Sequence, residues 1–198
     1  MTVFIVDDEG PVRRALGRLL RSDGFAVVAF ASAEEFLTGC GAARPACVVL
    51  DMAMPGRNGL EVQQALKEAG NTLPIIFLTG RADVPMCAQA MKRGAFDFLT
   101  KPVNDADLLA AVRRALSADR ADGASQAERD AILTRLASLT PREREVLDLV
   151  AAGRLNKQIA AELGTVEKTI KVHRGRVMAK MGAHSVADLV RMMERGLR

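Results

Sequence analysis

The sequence predicts two domains. The first is an α/β domain on a doubly wound, five-stranded parallel sheet; a partly helical linker joins it to an all-α block of four helices. Three observations carry that reading. Through residues 1–117, short apolar runs alternate with segments whose apolar residues recur three and four apart, as strands exchanging with amphipathic helices do. From 118 to 138 the composition turns small, charged and Gly-interrupted. From 139 to 198 strand-like alternation is gone and a basic excess begins.

The expected strands are 2–6 (TVFIV), 25–30 (FAVVAF), 47–50 (CVVL), 74–78 (PIIFL) and 95–99 (AFDFL). They are mostly apolar throughout rather than alternating, which predicts a parallel sheet covered on both faces. Pro11 suits the first turn of the first helix, whose stripe is Val12, Leu16, Leu19 and Leu20. Leu60, Val62, Ala65 and Leu66 mark a later helix, and Leu108, Leu109, Val112 and Leu116 the last one, about 104–117. If the expected sheet has the flavodoxin-like strand order 2-1-3-4-5, strands one and three lie side by side.

In the linker, Ile132, Leu133 and Leu136 recur at helical spacing, so its second half is expected to be helical. Beyond it, Thr140-Pro141-Arg142-Glu143 is a strong helix start, with Thr as N-cap, Pro at the first position and Glu at the third. Val146, Leu147 and Val150 follow, ending at Gly153. A second helix is expected over 156–163, closed by Gly164, a third over about 166–181 and a fourth over about 185–195. Two short helices joined by a tight Gly turn form a helix-turn-helix. In the third helix, Val166, Ile170, Val177 and Met181 are expected to face the core. Opposite lie Lys168, Val172 and Gly175, flanked by Lys171 and Arg176. A mid-helix Gly costs about 1 kcal/mol against Ala, so Gly175 on the outer face fits close approach to a partner. A basic face around a small centre suits a DNA major groove.

Charge supports this division. Residues 1–116 are net neutral, 117–138 carry −1 and 139–198 carry +5, so an anionic partner belongs to the C-terminal third. With 49% hydrophobic residues the chain can bury cores, and it has no run of about 18 apolar residues to span a membrane. Cys40, Cys47 and Cys87 are odd in number and lack paired metal spacing. With no signal peptide visible, the expected setting is a reducing cytoplasm.

The strand ends hold the chemistry. Strand one runs into Asp7, Asp8 and Glu9, strand three into Asp51, strand four into Thr79 and strand five into Lys101-Pro102. Ligands in such sheets bind outside the carboxyl ends of the strands, at the switch in order, so Asp7, Asp8 and Asp51 are expected in one crevice. Carboxylates that close are tolerable around a divalent cation, and hard oxygen donors suit Mg²⁺. Shielded in this way, one carboxylate is free to attack phosphorus, while Lys and Thr bind the oxygens that gain charge. A Mg²⁺-dependent phosphohydrolase is the rival, but "DMAM" has no second acid two residues after Asp51, and a basic helical block serves no hydrolase.

"DMAMPGRNGL", "LPIIFLTGRADVPM" and "MKRGAFDFLTKP" closely resemble the receiver domain of response regulators, in its FixJ-type branch. "LTPREREVLDLVAAG", "NKQIAAELG" and "TIKVHRGRVMAKMGAHS" resemble the LuxR-type DNA-binding domain. The first resemblance implies an aspartyl phosphate at Asp51, with Mg²⁺ held by Asp8, Asp51 and the Ala53 carbonyl and Asp7 acting largely through water. It further implies phosphoryl oxygens on Thr79 and Lys101, a switch aromatic at Phe98, a cis Lys101–Pro102 bond, and lifetime-tuning residues at Ala53 and Arg81. The second implies DNA reading by the third helix, through Lys168, Thr169, Lys171, Val172, Gly175 and Arg176. Asn156 and Lys157 would touch phosphates, and the fourth helix would mediate dimerisation. Where that family commonly has Ser as the recognition-helix N-cap, this chain has Val166, and Thr165 is the alternative cap. The expected protein is not a turnover enzyme but a transcription factor, phosphorylated by a sensor histidine kinase. Its other partners would be double-stranded DNA, RNA polymerase and a second copy of itself, the dimer forming on phosphorylation through the face of helix four and strand five of the α/β domain; Met86 and Met91 on that helix suit either the interface or the core.

Overall fold

A computed structural model describes residues 1–80 and 84–197. The chain falls into two compact units, Met1–Gly123 and Ala124–Arg198. In the first, β1 (Thr2–Val6), β2 (Ala26–Phe30), β3 (Ala46–Asp51), β4 (Ile75–Thr79) and β5 (Asp97–Thr100) alternate with α1 (Gly10–Ser22), α2 (Ala33–Gly39), α3 (Gly59–Glu68) and α4 (Val84–Lys92). The sheet is parallel, in the order β2-β1-β3-β4-β5. The helix α5 (Asp105–Ala137) begins in this unit and ends in the second.

The twofold period of the strands sends alternate side chains to opposite faces. Phe4, Val6, Val48, Leu50 and Phe77 pack with Phe36, Val62 and Leu66 of α2 and α3. Val3, Ile5, Val49, Ile76 and Leu78 pack with Leu16, Leu20, Leu108, Val112 and Leu116 of α1 and α5. Each such buried side chain contributes about 1.5–3 kcal/mol. These two cores hold the carboxyl ends of β1, β3, β4 and β5 at one rim, where Asp7, Asp51, Thr79 and Lys101 emerge.

Three elements differ from expectation. β2 lies at the sheet edge and is largely exposed, with Val28 43% accessible, because an edge strand has a neighbour on one side only. β5 starts at Asp97 rather than at 95, since the Ala95 N–H still closes α4 through the Ala90 carbonyl. The last helix of the α/β unit does not stop near 117. α5 continues through an alanine-rich stretch of high helix propensity, and buried Asp119 in that stretch pairs with Arg44 and accepts the Ala46 N–H at 2.8 Å.

The second unit comprises the end of α5 and α6 (Pro141–Ala151), α7 (Asn156–Glu162), α8 (Glu167–Met181) and α9 (Val186–Leu197). Its core joins Val146, Leu147, Ile159, Ile170, Val177, Met181 and Leu189 to Ile132 and Leu136 of α5. The α6 start is the expected capping box: Thr140 Oγ1 accepts the Glu143 N–H, and the Glu143 carboxylate accepts the Thr140 N–H. Glu143 is 3% exposed and also pairs with Lys180 at 2.6 Å, contacts that pull its carboxyl down to about 2. Between α7 and α8, Gly164 takes φ +62°, a conformation that L side chains rarely adopt. Val166 is not a core residue. It is the N-cap of α8, in extended backbone and 64% exposed, so it precedes the helical register that places Ile170, Val177 and Met181 inside. Nor is Thr165 the cap; its N–H closes the turn on the Ala160 carbonyl.

Candidate functional site

The crevice is assembled by strand ends. Asp7 directly follows β1, Asp51 is the last residue of β3, and Thr79 is the last of β4. The residue after β5, Lys101, donates its backbone N–H to the Thr79 carbonyl at 2.7 Å. α3 starts close over Asp51 because Gly59 has no Cβ: one there would lie 2.9 Å from the Asp51 carbonyl and 2.8 Å from Phe77.

Asp7, Asp8 and Asp51 each offer a carboxylate oxygen within 4.8 Å of the others. Asp7 is fully buried, Asp51 4% exposed and Asp8 exposed, so one of the three opens to solvent. The Lys101 Nζ donates to Asp7 Oδ2 at 2.7 Å, Asp51 Oδ2 at 3.0 Å and Glu9 Oε1 at 3.4 Å. Burial pushes the Asp51 carboxyl above its ordinary range, and the Lys101 hydrogen bond opposes this. Burial alone would lower the Lys101 ammonium, but its hydrogen bonds to Asp7 and Asp51 prevail and raise it. The site therefore stabilises a lysine cation and holds a carboxylate that is poorly solvated. A poorly solvated anion next to an ammonium is a competent nucleophile for an electrophile that brings its own negative charge.

Other residues fall around this centre. Thr79 is 8% exposed, while Phe98 on β5 is 38% exposed and so is not a core residue. Ala53 is exposed, and its N–H lies 3.4 Å from Asp51 Oδ1. Arg81 lies outside the described residues. Met86 is half-buried against the sheet and Met91 is 41% exposed. The Lys101–Pro102 bond is cis.

Sequence reasoning missed the partner of Glu9. Glu9 is the N-cap residue of α1; it donates its N–H to Asp7 Oδ1 at 2.8 Å and turns its carboxylate to Lys101. No spacing rule foretells that, because Lys101 is 92 positions away.

In the second unit the α8 face carrying Lys168, Lys171, Val172, Gly175 and Arg176 is exposed, and Thr169 is half-buried beside it. Lys157 on α7 is exposed and Asn156 half-buried. One partner was not anticipated: Arg174 Nη1 donates to Asn156 Oδ1 at 3.0 Å, linking α8 to the start of α7. Among the described residues no helix is long and apolar enough to cross a membrane.

Comparison with known proteins agrees with both halves. Residues 3–113 match the response regulator receiver domain, and residues 137–193 match the bacterial regulatory proteins of the luxR family. The chain is 47% identical over 192 residues to Nodulation protein W of Bradyrhizobium diazoefficiens, covering 97% of this chain and 85% of that protein. It is 48% identical over 195 residues to the transcriptional regulatory protein TdiR of Thauera aromatica, with 98% and 86% covered. Among solved structures, the response regulator StyR superposes with a TM-score of 0.91 at 43% identity, over 98% of each chain. The chain thus belongs to the two-component response regulators that couple a receiver domain to a LuxR-type DNA-binding domain, a family of transcription regulators rather than turnover enzymes.

Proposed function

We propose that Asp51 accepts a phosphoryl group from a sensor histidine kinase and that this phosphorylation controls DNA binding by α8. One observation carries the reading: Asp7, Asp8 and Asp51 converge within 4.8 Å while Lys101 bridges two of them. An Asp51 oxygen forms the new O–P bond as the N–P bond of a phosphohistidine breaks, and the electron pair leaves with the imidazole, which takes up a proton. The Lys101 ammonium and the Thr79 hydroxyl bind the phosphoryl oxygens, where negative charge accumulates. The donor set is all oxygen and partly open to water, which fits Mg²⁺. Asp8, Asp51 and the Ala53 carbonyl would hold the ion, with Asp7 alongside. Bound there, it would neutralise carboxylate charge that otherwise repels the incoming group.

Capture of Lys101 and Thr79 by the phosphoryl group favours a state in which Phe98 turns inward and the α4–β5 face is reshaped. A second copy docks on that face, and the paired C-terminal units engage two DNA half-sites and RNA polymerase in the cytoplasm. Lys168, Lys171 and Arg176 meet phosphates and guanine edges, Thr169, Val172 and Gly175 line the groove, and Asn156 and Lys157 contact backbone phosphates. Mg²⁺ and a small phosphodonor should add one phosphate to the chain and none to Asp51→Asn. If Asp51→Asn binds DNA as tightly as the phosphorylated wild type, phosphorylation does not control binding.

A further inference from the structure

A guanidinium carries only donors, so the Asn156 atom 3.0 Å from Arg174 Nη1 must be the amide oxygen. That bond settles which way the amide faces. With Oδ1 committed to Arg174, the two N–H groups of Nδ2 are left to donate elsewhere. Charge on the guanidinium also polarises the amide, which makes Nδ2 a stronger donor. Asn156 opens α7, Arg174 lies in the middle of α8, and the exposed cations Lys157 and Lys171 are their neighbours along the two helices. A neutral amide beside such cations contributes by direction rather than by charge, so its orientation decides whether it attracts or repels a phosphate oxygen.

We propose that Arg174 is a positioning residue for DNA backbone contact: it locks the Asn156 amide with its NH₂ presented to a phosphate. This rests on the reading that the α7–α8 face meets DNA, and the test separates the two. Fluorescence anisotropy of the full chain on a short mixed-sequence duplex at low salt compares wild type with four variants. Lys171→Ala reports on the face itself. Asn156→Asp keeps a partner for Arg174, now as an ion pair, but replaces the outward donor by an acceptor. It should melt no lower than wild type yet bind about tenfold more weakly. Arg174→Ala frees the amide to flip and should cost about fivefold. Arg174→Lys, which can donate to the same oxygen, should stay within about twofold of wild type. If Lys171→Ala weakens binding but Asn156→Asp binds as tightly as wild type, the positioning role is wrong and the DNA face stands. If neither variant changes affinity, the face assignment fails as well.

Discussion

The two functional regions of this molecule hold charge in opposite ways. In the crevice, Asp7 and Asp51 are nearly inaccessible and share a single ammonium, each delivered by the end of a different strand. On α8 the cations are exposed and spread along one helix face. Buried charges interact strongly because little water screens them, whereas exposed charges separated by more than about 10 Å are largely screened at 0.1 M salt. The crevice therefore works through a few groups set by tertiary structure. The basic face works through number, and needs a partner that is itself a polyanion.

Salt separates them most sharply. Between roughly 50 and 200 mM salt, DNA affinity should fall by about a thousandfold, while phosphate incorporation at saturating Mg²⁺ changes little. A titration in which both respond alike would remove the distinction. Next in size is the loss of the crevice cation. Lys101→Ala leaves buried carboxylates unpaired and should cost the α/β unit about 3–5 kcal/mol in Mg²⁺-free urea melts. Mg²⁺ should restore more stability to the variant than it adds to wild type; equal gains would mean that the carboxylates do not depend on a cation.

Packing in the second unit supplies the third effect. Ile132→Ala should destabilise the DNA-binding unit by about 2–5 kcal/mol, because Ile132 is 2% exposed and belongs to that unit's core. Its neighbour Leu133 is 46% exposed, and Leu133→Ala should stay within about 0.5 kcal/mol of wild type. If the two variants melt alike, the end of α5 is not part of this core.

Acid gives the smallest contrast, and its sign differs between the regions. Glu143 titrates near 2 in the folded chain against an ordinary 4.5. Its contribution is therefore complete above about 4.5 and is lost as pH falls from there toward 2. Asp51 is shifted upward by burial, so the fold favours its protonated form, and ionisation costs stability as pH rises through its folded value. Melting of Glu143→Gln across that acid range should lose the pH dependence that wild type shows in the second unit. An unchanged profile would place the acid sensitivity elsewhere.

Much of this was legible because it is local. Continuous apolar runs marked the buried strands, the Thr140 to Glu143 spacing marked a capping box, and strand-end acids placed Asp7, Asp8 and Asp51 together once the strand order was assumed. Failures arise where a helix start is ambiguous or where the deciding partner is remote. Val166 continued an i, i+4 pattern but lies at the cap, since nothing in the pattern says where a helix begins. Glu9 found Lys101, and Arg174 found Asn156, across distances that no periodicity measures.

The sequence by itself determined the class of each domain, the residue types at the strand ends and the basic bias of the last third, because periodicity and composition act along the chain. Only the tertiary structure decided that α5 lends Ile132 and Leu136 to the second core, that one lysine serves three carboxylates, and that an arginine orients an amide. Those outcomes depend on distances between residues far apart in sequence, and such distances exist only once the chain is folded.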